Sequence, residues 1–84
     1  MSEAEKDPFF QIIKCLDEGL EVQFRRDEQY PTLVETRVID RRGDKIKYMT
    51  RLVDSKKAIA AVSGPLFIFA QEIIQCRKEI LGHD

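Results

Sequence analysis

The last third of the chain carries apolar residues on two sides of one helical segment, and this feature limits most strongly how the chain can fold. One stripe recurs at alternating intervals of three and four residues: Ile59, Val62, Leu66, Phe69, Ile73, Cys76 and Ile80. A second stripe recurs every seven residues: Ala60, Phe67, Ile74 and Leu81. This spacing is typical of a helix that lays one seam against a flat partner. We therefore expect a C-terminal helix that needs cover from two directions.

Two arrangements would cover such a helix. An apolar stripe left in water favours aggregation, so self-association is the simplest prediction. The alternative is a monomer in which the first helix and a kink wrap both stripes. Because Pro65 follows Gly64 inside the segment and removes a backbone hydrogen bond, we expect a kink or two abutting helices there. The expected oligomer interface comprises Ala60, Leu66, Phe67, Phe69, Ile74 and Leu81.

The first part of the chain predicts a helix and then three strands. Asp7 can cap a helix over about residues 8–18, and Gly19 can supply its left-handed end. Alternating residues then predict a first strand that buries Leu20, Val22 and Phe24, a second strand at about 33–40, and a hairpin loop in which Gly43 takes a positive φ. In a third strand at about 45–53, we expect the following to point inward: Ile46, Tyr48, Thr50 and Leu52. Those expected to point outward are Lys45, Lys47, Met49 and Arg51.

These elements describe one small α+β domain: a helix, a three-stranded antiparallel sheet and a long, kinked helix. We expect a flexible tail at residues 1–6, the first helix and sheet at 7–53, and the last helix or helix pair at 54–82, all in a single domain of 84 residues. Asp54 or Ser55 is expected to cap the last helix.

Charge and cysteine usage indicate an intracellular binding protein. The acidic N-terminus has no apolar core, and no apolar run approaches the roughly twenty residues of a membrane span, so we expect a cytoplasmic protein without membrane contact. Cys15 and Cys76 are expected to be buried free thiols rather than a disulfide. The net charge is −1, but residues 29–57 hold eight basic and four acidic residues. Such a segment suits phosphate or an acidic partner, or it attracts the acidic N-terminal part of the same or a neighbouring chain.

The residues that could support catalysis are few. His83 is the only histidine and stands one residue from the end of the sequence, so no Ser–His or Cys–His pair is expected. Two cysteines and one histidine do not make four zinc ligands, and the glycines match no phosphate-binding loop. An enzyme built on carboxylates would need a cleft between subunits. We therefore expect a protein that is not an enzyme and that uses no metal and no cofactor.

The outward face of the sheet and its hairpin form the expected binding surface. The face carries Arg25, Arg37, Lys45, Lys47 and Arg51, and the hairpin tip carries Arg41 and Arg42. Surfaces that contact phosphates carry such residues, but this face is expected to hold no aromatic side chain on which a base could stack. The alternative is that these long charged side chains simply form a solvent-exposed strand face and bind no partner. We expect a module that binds or sequesters a protein or a small anionic ligand.

Two stretches resemble the double-stranded RNA-binding domain family. They are the start of the first helix, Asp7-Pro8, and the start of the last, Ser55-Lys56-Lys57-Ala58 with Ala60-Ala61. The element order is also similar, and the resemblance spans residues 7–70. It implies that Lys56 and Lys57 contact phosphates of duplex RNA. Where that family has Gly-Pro-x-His between its first two strands, this chain has Asp27-Glu28-Gln29-Tyr30-Pro31.

The overall build is also similar to that of small phage-encoded accessory proteins, which are single α+β domains that bind or sequester a host component. That similarity concerns size and fold class alone, and it implies an accessory or inhibitor protein. Both resemblances lead to binding rather than to catalysis, and they differ in the partner.

Overall fold

The first helix begins at the residues that the sequence predicts. The computed structural model describes residues 3–60 and 65–82. The Asp7 carboxylate accepts a hydrogen bond of 2.9 Å from the Phe9 N–H and caps α1, Pro8–Asp17. After α1, Gly19 has a φ of +80°, the left-handed conformation expected of its C-terminal cap.

Part of the predicted N-terminal tail is folded. Ala4–Lys6 form one turn of 3-10 helix, and the carbonyl of Glu5 accepts a hydrogen bond of 2.9 Å from the buried side chain of Gln11. This bond ties the turn to α1 and satisfies an amide that would otherwise be buried without a partner.

Three antiparallel strands follow, and β2 lies between the other two. They are β1, Leu20–Arg26, β2, Leu33–Asp40, and β3, Lys47–Asp54. The chain continues in two helices, α2, Ser55–Ala60, and α3, Pro65–Leu81. The Asp54 carboxylate caps α2 by accepting from the N–H groups of Lys56 and Lys57 at 2.9 and 3.3 Å. The predicted α+β class is confirmed, and the kink expected at Gly64-Pro65 falls at 61–64, which lie outside the described residues.

The core lies between the sheet and two helices, because α1 and α3 pack against the same sheet face and against each other. Five of its residues are at most 1% exposed: Cys15, Leu20, Val38, Ile73 and Cys76. Both cysteines are free, as predicted. Burial raises the pKa of the Cys15 thiol to about 11 and that of Cys76 to about 12, because the thiolate would lose its hydration.

The predicted facing of β3 is wrong. In the observed register Met49 stands opposite Val38, and Val38 points to the helices. Met49 therefore packs against the core, whereas Tyr48 and Leu52 are 57% and 53% exposed on the open face of the sheet. The apolar residues of β2 determine which face of the sheet the helices cover, and pairing with β2 fixes the orientation of β3. The more apolar of the two alternating sets in β3 therefore faces water.

The predicted conformation of Gly43 is also wrong, because Gly43 does not have a positive φ. Asp40 pairs with Lys47, so the loop spans residues 41–46 and is longer than the two-residue turns that require positive φ. The Asp40 carboxylate instead shapes the loop by accepting a hydrogen bond of 3.0 Å from the Arg42 backbone N–H.

Candidate functional site

Helix α1 carries apolar side chains on two neighbouring sides, and its neighbours cover one of them. Pro8 and Cys15 are buried and Ile12 packs against the core. Along the other side, Phe9, Ile13 and Leu16 are 69%, 58% and 57% exposed. The spacing of four and three residues places these three in one stripe along the helix.

An apolar cleft adjoins this stripe at the N-terminal end of α1. Its volume is about 430 Å³, and its walls are Pro8, Phe9, Ile12, Phe24, Val34 and Phe69. The rings of Phe24 and Phe69 meet edge to face with centroids 5.7 Å apart, which fixes one wall, and Phe24 remains 43% exposed. We call the cleft together with Phe9, Ile13 and Leu16 the α1 surface.

The predicted oligomer interface on the last helix is largely covered by its own chain. Phe67, Phe69, Ile74 and Leu81 are half-buried, and Leu81 packs against the core. Phe69 belongs to the α1 surface, and the ring of Phe67 lies 5.9 Å from the Lys6 ammonium. The side chains of Ala60 and Leu66 lie outside the described part of the structure. Among the side chains that the structure describes on α1 and over 67–81 of α3, the large exposed apolar ones therefore lie on α1.

Most of the predicted binding cations are engaged in ion pairs. The pairs are Arg25 with Glu28 at 3.8 Å, Arg37 with Glu35 at 2.9 Å, Arg41 with Glu21 at 2.9 Å, Arg42 with Asp40 at 3.0 Å, and Arg51 with Glu72 and Glu79. The hydrogen bond to Glu72 raises the pKa of the Arg51 guanidinium. These arginines carry little uncompensated charge for a partner to bind.

The structure does not bring the predicted cations onto one face. Glu72 belongs to α3, so Arg51 points to the helices, and Lys47 shares that side because it stands opposite Asp40 and two residues before Met49. The expectation that the open face has no aromatic is wrong as well. Tyr48 lies on that face, and the Arg37 guanidinium stacks 4.8 Å above its ring.

Four lysines of the predicted set keep their charge available. Lys45, Lys47, Lys56 and Lys57 are exposed, and none forms an ion pair with a residue in the described ranges 3–60 and 65–82. Lys45 and Lys47 lie where β3 begins, and Lys56 and Lys57 follow its end. The free positive charge is therefore divided between the two ends of an edge strand.

A second cleft, of about 350 Å³, is polar. It lies at the end of β1 and is lined by Arg25, Arg26, Asp27, Glu28, Gln29, Glu35 and Arg37. The carboxylate of Glu35 lies 2.9 Å from the Arg37 guanidinium without the alignment of a hydrogen bond, and the Nε atom of Arg37 is buried without an acceptor among the described residues. Acidic and basic groups are mixed here, so the cleft presents no net field of one sign.

Neither cleft contains a metal-ligand set. Among the described residues no group of three histidine, cysteine, aspartate or glutamate side chains could hold a metal ion. No helix in this part of the chain is long and apolar enough to cross a membrane. His83 lies outside the described residues.

Comparison with known proteins gives no relative from which to transfer a function. No protein-family model, no curated protein and no solved structure matches this chain significantly. The α1 surface therefore has to be interpreted from its own chemistry. Sequence reasoning missed this surface, although its signal was present: Phe9, Ile13 and Leu16 form a second stripe beside Ile12 on a helix of ten residues.

Proposed function

We propose that this protein is a non-enzymatic binding module that self-associates through the apolar surface on its helical side. The module then presents its unpaired lysines to an acidic protein or a small anionic ligand. The observation that carries the proposal is the α1 surface, where three large apolar side chains more than half exposed adjoin an apolar cleft. Such a contiguous patch typically marks an interaction site.

The size of this patch favours association. Phe9, Ile13, Leu16 and Phe24 together expose on the order of 400 Å² of apolar surface, as large as the largest patch on a typical monomer. Covering that area on two molecules contributes roughly 20 kcal/mol at about 25 cal/mol per Å². Lost freedom of the two molecules costs about 4–15 kcal/mol, and ordering of interface side chains costs more, so this burial favours association without fixing its affinity.

The unpaired lysines support the second half of the proposal. Lys45, Lys56 and Lys57 lie near the two ends of β3, whose open face exposes Tyr48 and Leu52 for apolar contacts, whereas Lys47 lies on the opposite face. Binding there would sequester an acidic protein without a catalysed reaction, and this chain would then act as an accessory or inhibitor protein.

Light scattering on a size-exclusion column tests self-association, with a matched pair of variants. Ile13→Glu places a carboxylate in the α1 surface, and Ile46→Glu places the same charge on the β2–β3 loop at a nearly equal exposure of 61%. We expect the native chain and Ile46→Glu to form the same oligomer, and Ile13→Glu to weaken it by about 100-fold or more, because the charge would be buried. A native chain that is monomeric at the highest soluble concentration contradicts the proposal.

Duplex RNA is a second candidate partner, favoured by the position of Lys56 and Lys57. Both are exposed at the start of α2, directly after β3, and the element order is that of the family which the sequence resembles. The loop between β1 and β2 weakens this candidate because its Asp27 and Glu28 would face phosphates.

RNA binding is tested with two double variants that change the net charge equally. If Lys56 and Lys57 contact phosphates, Lys56→Glu with Lys57→Glu abolishes duplex binding and the native complex weakens steeply with salt. Lys45→Glu with Lys47→Glu serves as the control, measured by fluorescence anisotropy on a labelled RNA duplex. Equal affinity loss in both double variants indicates attraction by overall charge and excludes this site.

A further inference from the structure

We infer that the partner of the α1 surface is a second copy of this chain, bound so that the two α1 helices run antiparallel about a two-fold axis near Ile13. This inference rests on the proposed self-association and specifies its geometry. In it, the Leu16 side chain of each copy enters the apolar cleft of the other.

The arrangement of projections and cleft along α1 supports a two-fold axis. The cleft lies at the N-terminal end of the helix, beside Phe9 and Ile12, and the exposed Leu16 projects at the C-terminal end. Leu16 follows Phe9 by seven residues, which is about 10 Å along the helix. Turning a second helix end for end about a point near Ile13 brings each Leu16 to the other cleft, as a self-complementary two-fold interface requires.

The chemistry of the surface favours a copy of the chain over a charged partner. The six residues that line the cleft are all apolar, and the stripe of Phe9, Ile13 and Leu16 contains no charge. A partner with an acidic or basic contact face would lose hydration here and gain no counter-charge. The same stripe on a second copy matches the cleft in polarity, and the cleft has room for the Leu16 side chain.

The area also meets the need of a stable dimer. A standard interface buries about 800 Å² on each partner, of which a little over half is apolar. The α1 surface provides about 400 Å² of apolar area on each copy. The polar remainder can come from the other exposed side of α1, where Lys14 and Asp17 lie.

Site-directed cross-linking with single cysteine substitutions tests the geometry in the full chain. Phe9→Cys, Ile13→Cys and Leu16→Cys replace exposed side chains, and the native Cys15 and Cys76 are fully buried. Under mild oxidation we expect Ile13→Cys to form a disulfide-linked homodimer. We expect Phe9→Cys and Leu16→Cys to cross-link with each other in a mixture at least about tenfold faster than either does alone, because only the mixed pair meets across the antiparallel interface. Ile46→Cys serves as the control that reports random collision.

The outcomes separate this inference from the proposed function. The mixed Phe9–Leu16 cross-link with a self-linked Ile13→Cys supports the antiparallel pair. If Ile13→Glu weakens the dimer in light scattering but Ile13→Cys cross-links no faster than Ile46→Cys, the antiparallel geometry is overturned and self-association through the α1 surface stands. If Leu16→Cys alone cross-links faster than the mixture, the helices run parallel and the inference is also overturned. A monomer overturns both proposals.

Discussion

The carboxylate of Asp40 joins the β2–β3 hairpin to the end of α1. Its two oxygens accept hydrogen bonds of 3.0 and 3.1 Å from the Arg42 guanidinium, which also donates at 3.0 Å to the carbonyl of Glu18. The Arg42 side chain thereby lies over Gly19, where an added Cβ would stand 2.7 Å from the Arg42 Cδ atom. Gly19 is thus required both for its left-handed backbone and for the space that Arg42 occupies.

Stability should depend on the ionisation of Asp40. The hydrogen bond from the Arg42 side chain lowers the pKa of Asp40 to about 2 in the folded chain, against about 3.9 when unfolded. The unfolded chain therefore binds the proton first, and the stabilisation present at neutral pH is lost as the pH falls from about 4 to about 2. We expect Asp40→Asn to melt below the native chain at pH 7 and the difference to vanish towards pH 2, as measured by circular dichroism. A difference independent of pH contradicts this role.

At the scale of elements, β3 shows how a neighbouring strand and helix decide which face of a strand is buried. Its helix-facing side chains include Arg51, whose charge is held by Glu72 and Glu79 of α3, so a cation is accommodated beside the core. On the opposite face Leu52 remains more than half exposed. Burial in β3 therefore follows the register with β2 rather than the hydrophobicity of β3 itself.

Two alanine substitutions in β3 should affect the free energy of unfolding in the opposite order to the sequence prediction, which placed Leu52 inward and Met49 outward. Met49 packs against the core, so Met49→Ala is expected to lower the free energy of unfolding by about 1–2 kcal/mol. Leu52→Ala removes a side chain that is 53% exposed and should change it by less than about 0.5 kcal/mol. Urea denaturation of the two variants provides the measurement, and a larger loss in Leu52→Ala would contradict the observed facing of β3.

At the scale of the whole molecule, the core is held by residues that are distant in sequence. Cys15 of α1 and Cys76 of α3 are both fully buried in one cluster with Leu20 and Val38 of the sheet. Above this cluster Arg77 of α3 donates a hydrogen bond of 2.6 Å to the Glu18 carboxylate at the end of α1. Opening the contact between the helices therefore exposes the core and both thiols together.

Thiol labelling should report this opening. Burial raises the pKa of both thiols, and for Cys15 this alone lowers the reactive thiolate fraction at pH 8 by about 100-fold. We expect iodoacetamide to leave the native chain unmodified over a time in which it labels both cysteines in urea, as counted by mass spectrometry. An Ile46→Cys variant, which gains an exposed thiol, should label once at native conditions. Rapid labelling of Cys15 or Cys76 in the native chain would contradict a closed core.

Local signals in the sequence determined the fold class, the Asp7 cap of α1, the left-handed Gly19 and the bounds of β2, because each depends on residues a few positions apart. The tertiary structure decided which face of β3 is buried and which cations are neutralised. Arg51 is paired with an acid 21 residues away, and no local pattern reveals such a partner.

The exposure of the α1 surface is the clearest feature that only tertiary packing determines. The sequence shows apolar stripes on α1 and α3 but not which of them the chain covers for itself. In the structure, Ile73 and Cys76 of α3 are fully buried, while Phe9, Ile13 and Leu16 of α1 remain exposed. The reason is geometric: two helices share one face of a three-stranded sheet, and a helix of ten residues can turn only one side towards it.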